Sequence, residues 1–163
     1  MAKKSAAAGD VLDSQVVELM AASRVLVAAC ARSMAGLDAV VTPVQMRALV
    51  IVASRGGMRL TELAQALDVH PSNATRTCDK LVAAGLMARQ ENPQNRRELV
   101  LTLTSAGQRL VTAIGRRRGD AISEVLRAVP VERRDQVVAA MREFAAAGGE
   151  AQDDDLWAMG WTT

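Results

Sequence analysis

Residues 61–85, "TELAQALDVHPSNATRTCDKLVAAG", constrain the fold more than any other stretch of the chain. "TELAQAL" has helical spacing but spans barely two turns, and an isolated helix that short is unstable in water. It must therefore dock on its neighbour across the three-residue break "DVH". Pro71 suits the first turn of the next helix and Gly85 its stop. Thr61 is the expected cap of the first helix, with Glu62 favourably placed at the positive end of its dipole. Helix, tight turn, helix is the size and punctuation of a helix-turn-helix.

At about 100° per residue, the second helix divides into two faces. Ala74, Cys78, Leu81 and Val82 fall together and should pack inward. Ser72, Asn73, Arg76 and Lys80 fall opposite, flanked by Thr75, Thr77 and Asp79. These outward side chains are short hydrogen-bonding groups and cations, the kinds that meet base edges and phosphates in a major groove. A solvated helix face has the same polarity, so the surrounding elements must decide between the two.

Downstream, "LMARQENPQNRRELVLTLT" alternates Leu99, Leu101 and Leu103 with Val100, Thr102 and Thr104 around an Asn-Pro-Gln-Asn turn. The two-residue period predicts an antiparallel hairpin with Arg96 and Arg97 at a basic tip. Helices flank this unit. Leu12, Val16, Leu19, Ser23, Leu26, Cys30 and Met34 form an inward stripe over residues 11–35, ending near Gly36. Thr42-Pro43-Val44-Gln45 opens another helix as a capping box with Pro in its first turn, and Gly56-Gly57 stops it. Thr104 or Ser105 begins a long helix to about Val129, Ser105 with Gln108 fitting a capping box. Pro130 breaks that helix, and a last one carries Val137, Val138, Met141 and Phe144 before Gly148-Gly149. The end, "EAQDDDLWAMGWTT", is acidic and then apolar.

Only Phe144, Trp157 and Trp161 are aromatic. Aliphatic packing must carry the core, which suits helices better than a sandwich. The net charge of +2 is unevenly spread. Residues 76–118 hold nine basic and three acidic side chains, whereas 119–163 hold four and nine. A basic middle beside a polar helix face and a basic-tipped hairpin points to a polyanion. Helix-turn-helix plus hairpin is a winged helix-turn-helix, so the expected fold is mainly α with a small β-hairpin wing.

In "LTELAQALDVHPSNATRTCDKLVAAGLMARQ" and "NRRELVLTLTSAG" the chain resembles the MarR family of bacterial transcription regulators. The second stretch is similar to the family's wing pattern, Asp-x-Arg followed by Leu-Thr-x-x-Gly, with Asn95 standing where the Asp is usual. His70 occupies a cap position where Ser is commoner. The flanking helices match in number and order, so the resemblance covers residues 11–147. It implies a homodimer on palindromic double-stranded DNA, with an N-terminal dimerisation helix at 11–35 and a DNA-binding domain at 42–104. C-terminal dimerisation helices would occupy 105–147, and 148–163 would form a tail whose Trp residues either dock on the partner or fray. By family position Ser72, Asn73, Thr75 and Arg76 would read bases, with Lys80 on the same face. Arg97 would reach the minor groove, Arg96 would add backbone attraction, and Thr61 would meet phosphate. The family often binds small aromatic acids between its dimer helices and DNA-binding lobe. Arg117 and Arg118, flanking the apolar stripe Val111, Ile114, Ile122, Val125, are candidates for such an anion; otherwise they snorkel over the core edge.

Other chemistries fit less well. His70 is the sole histidine, which excludes a catalytic triad or multi-histidine metal site, and Cys30 and Cys78 lack ligand spacing. No convergent acid, base or metal set suggests an enzyme, and we expect neither metal nor cofactor. Both cysteines lie on inward faces, as buried small hydrophobes do, although a thiol-switch regulator stays open. So does a sequence-indifferent architectural DNA-binding protein. No run approaches the roughly 18 apolar residues that span a bilayer, and no signal-peptide core follows the first four residues. We therefore expect a cytoplasmic, dimeric repressor, relieved by a small anionic or aromatic ligand, with no membrane contact.

Overall fold

The structure is a computed structural model. It describes residues 2–36, 41–92 and 95–148, with the side chains of 2–10, 92 and 95–98 excepted. The elements run α1 (Ala2–Met34), α2 (Pro43–Ser54), α3 (Leu60–Ala66), α4 (Pro71–Ala83), β1 (Met87–Asn92), β2 (Asn95–Leu103), α5 (Ser105–Ala128) and α6 (Val131–Ala147). The expected architecture, helices around one hairpin, is present.

The stop signals act where the sequence places them. Gly36, Gly56, Gly57 and Gly85 all take positive φ, the left-handed conformation that ends a helix without a Cβ penalty. Thr42 caps α2 through a full capping box: Gln45 Oε1 accepts from Thr42 N at 2.7 Å and Thr42 Oγ1 from Gln45 N at 3.3 Å. The turn between α3 and α4 closes on Asp68, at φ 53°. Asp68 N donates to Gln65 O and Val69 N to Ala64 O, which satisfies carbonyls that the end of α3 would leave open.

Two local expectations change, and one of two alternatives is selected. Thr61 is not the cap of α3, because the helix begins one residue earlier and Arg59 takes the cap position. Arg59 N donates to Glu62 Oε2 at 2.9 Å, and the guanidinium holds Oε1 of the same carboxylate. Thr104, not Ser105, caps α5, accepting from Gly107 N at 3.1 Å. Finally, α1 extends back to Ala2. Within it Val11–Met34 is long and apolar enough, by length and composition, to cross a bilayer, although little of it is buried here. Asp13, Glu18, Arg24 and Arg32 interrupt every apolar run, so run length conceals what the average reveals.

The core is aliphatic and rich in methionine. Met34, Met46, Leu49, Val52, Met58, Leu63, Cys78, Leu81, Met87, Leu101, Val111 and Ile114 share one buried cluster drawn from every element except α6. β1 and β2 pair antiparallel from Met87–Leu103 to Asn92–Asn95, and Met58 bridges Leu101 to tie the hairpin root to the helices. Of the alternating leucines, Leu101 is buried, whereas Leu99 is 58% exposed because it lies farther out along the wing. The acidic, Trp-containing tail lies outside the described residues.

Candidate nucleic-acid interface

Helix α4 is presented outward by packing on one side only. Ala74, Cys78 and Leu81 are completely buried and Val82 is half-buried. A helix so pinned has little freedom to rotate, so its opposite face has a defined direction. Ser72, Asn73, Arg76 and Lys80 are all exposed on that face, as the helical spacing predicts. Burial also pushes the Cys78 thiol up, above its ordinary range, with Arg89 opposing the shift. The protonated thiol is a poor nucleophile, which weighs against a redox role at this position.

The start of α4 is built by His70. Its backbone is extended and its Nδ1 accepts a 3.3 Å hydrogen bond from Ser72 N, while Ser72 Oγ lies 2.9 Å from the same nitrogen. The histidine thus does the work of the commoner serine cap. Thr75 is half-buried, and its hydroxyl donates to Pro71 O at 2.9 Å. With that proton committed to the backbone, the Thr75 hydroxyl has only acceptor lone pairs left for another partner, a narrower repertoire than a free threonine has.

Thr61 is exposed in the first turn of α3, inside the helix rather than at its cap. Glu62 in the same turn has its carboxyl held below the ordinary range, chiefly by the Arg59 side chain and then by the Arg59 backbone N–H. Arg96 and Arg97 lie within the first three residues of strand β2, and their side chains are outside the described residues. Arg117 and Arg118 stand on α5, Arg117 exposed and Arg118 half-buried with a buried Nε that lacks a hydrogen-bond partner. Among the described residues, no group of three His, Cys, Asp or Glu could hold a metal ion.

One contact was not foreseen. Arg89 on β1 donates to Asp79 Oδ1 of α4 at 2.5 Å, an ion pair joining the hairpin to the outward helix. Helical spacing places Asp79 on a flank, but nothing local marks a partner ten residues away on another element.

The MarR family model matches residues 41–99, from just before α2 into β2. A solved structure of RV1404 from Mycobacterium tuberculosis superposes with a TM-score of 0.78 at 37% identity, covering 86% of this chain and 96% of that one. The chain belongs to the MarR family. YusO from Bacillus subtilis is similar with a TM-score of 0.66 at 27% identity, covering 85% of this chain and 97% of that one. The HTH-type transcriptional repressor MdtR from Bacillus subtilis is 36% identical over 67 residues, which are 41% of this chain and 43% of MdtR. The matched stretch thus spans less than half the length of that curated relative. MarR membership accounts for the order of elements and for the hairpin beside α4. The family model stops before α5, whereas the RV1404 superposition takes in most of the flanking helices as well.

Proposed function

We propose that this chain is a sequence-specific, DNA-binding transcription regulator that acts as a dimer and represses by occluding promoter DNA. The observation that carries the reading is the face of α4: Ser72, Asn73, Arg76 and Lys80 exposed together on a helix whose other side is locked into the core. Arg pairs with guanine, Asn with adenine, and Ser with either donors or acceptors. Arg97 would follow the minor groove, Arg96 and Thr61 would meet phosphate, and Thr75 would contribute an acceptor. The name of MdtR, a transcriptional repressor, supports the same reading.

Dimerisation is supported by uncovered apolar surface. Val11, Leu12, Val16, Val17, Leu19 and Met20 on α1 and Val131, Val137, Val138 and Phe144 on α6 are all exposed. So much apolar area on one chain calls for a covering partner. A second copy suits it better than lipid, because Asp13, Glu18, Arg24 and Arg32 lie in the same apolar stretch of α1. Two outward helices would then read half-sites about 34 Å apart. A small anionic or aromatic ligand near Arg117 and Arg118 would favour a DNA-incompetent arrangement and release the operator by population shift. The protein would work in the cytoplasm and need no cofactor, metal or catalytic group.

The deciding experiment is a footprint on the DNA upstream of the protein's own gene, followed by competition against random duplex. A protected palindrome bound at least about a thousandfold more tightly than random duplex is expected. A ratio near one would instead indicate a sequence-indifferent architectural protein.

A further inference from the structure

Asp79 is the only acidic residue of α4. Three residues on from Arg76, it lies about 60° around the helix from it, on the flank of the outward face. Its side chain is 53% exposed and that of Arg89 is 38% exposed. Ion pairs this open add little to folding stability, so the contact is a poor candidate for a stabilising strap. Its electrostatic consequence is larger. An unpaired carboxylate there would lie beside the phosphates that flank a groove entered by α4, and like charges in close apposition oppose binding.

We infer that Arg89 is a positioning residue that neutralises Asp79 and holds it against the hairpin, so that the outward side of α4 meets DNA without a free negative charge. The inference rests on the DNA-binding reading above. It predicts that Arg89 acts through Asp79, and it makes the two residues interdependent in a way that a direct phosphate contact by Arg89 would not.

The test is fluorescence anisotropy of the full chain on a labelled random duplex across a series of potassium chloride concentrations. The probe isolates the phosphate contribution without requiring a known operator. Arg89→Ala should bind about fivefold more weakly at low salt, the effect of roughly one unscreened charge at close range. Asp79→Asn should bind at least as tightly as the wild type. The double variant Asp79→Asn/Arg89→Ala should return to within about twofold of wild type, since unit charges are removed in a balanced pair. A double variant as weak as Arg89→Ala would show that Arg89 touches phosphate itself, and would overturn the inference. Unchanged binding by Arg89→Ala would overturn it too. If Arg89→Ala proves unstable on heating, Asp79→Asn alone decides, because weaker binding by that variant contradicts masking. Wild-type protein that retains no duplex at any salt would remove the DNA-binding reading itself.

Discussion

Arg76 is the residue whose proposed role in base recognition can be tested most directly. It is exposed at the middle of the outward face of α4, where a guanidinium can pair with a guanine. Arg76→Ala should cost about 1–3 kcal/mol at one base pair and relax preference there, read by competition with single-substitution operators. An equal loss on every sequence would reassign it to phosphate. Gly107 is the matching case for stability. A Cβ at that position would overlap the Leu86 carbonyl oxygen and lie 3.0 Å from its carbon. Backbone cannot give way as a flexible side chain can. Gly107→Ala should therefore destabilise by about 1–3 kcal/mol, seen as a lower urea midpoint, and an unchanged midpoint would mean that the turn at Leu86 yields. The Leu-Thr-x-x-Gly pattern is visible in the sequence, but this reason for its glycine is not. Thr104 donates to Gly85 O at 2.7 Å and accepts from Gly107 N, drawing the end of α4 and the start of α5 together until only glycine fits.

Among the elements, α3 depends most on its ends, because seven residues leave few internal hydrogen bonds. The Arg59–Glu62 box depresses the Glu62 carboxyl in the folded state. A depressed carboxylate contributes stability that is present above its unfolded pKa and is lost as pH falls through the lower folded value. Stability measured by urea titration should thus fall across the acid side of the ordinary glutamate range, and Glu62→Gln should flatten that part of the profile. A profile unaltered by Glu62→Gln would show that the box has no influence on the fold. For the wing, Arg97→Ala should weaken binding on all sequences and lower the salt slope by about one. An unaltered slope would count against a wing contact. Local pattern favours Thr61 as the cap of α3. The structure favours Arg59, whose longer side chain reaches the carboxylate that its own backbone N–H already holds.

At the scale of the molecule, the described chain leaves α1 and α6 with apolar faces open, and α6 has no buried residue. If a second copy covers α1, a carboxylate placed in its stripe would be buried without a partner. Val16→Glu should weaken self-association by about tenfold or more, measured by sedimentation equilibrium, while the helix-turn-helix unit keeps its fold. Wild-type protein that sediments as a monomer at micromolar concentration would contradict the dimer. The same variant should bind palindromic DNA far more weakly than half-site DNA, because only a dimer places two outward helices on one duplex.

By itself the sequence determined the helices, their glycine stops, the hairpin and the composition of the outward face of α4, because helical periodicity, capping and strand alternation are settled within a few neighbouring residues. Only the tertiary structure decided why Gly107 tolerates no side chain and that Arg89 holds Asp79. Those outcomes depend on atoms distant along the chain but adjacent in space, and chain closure, rather than local preference, brings them within hydrogen-bond and van der Waals range.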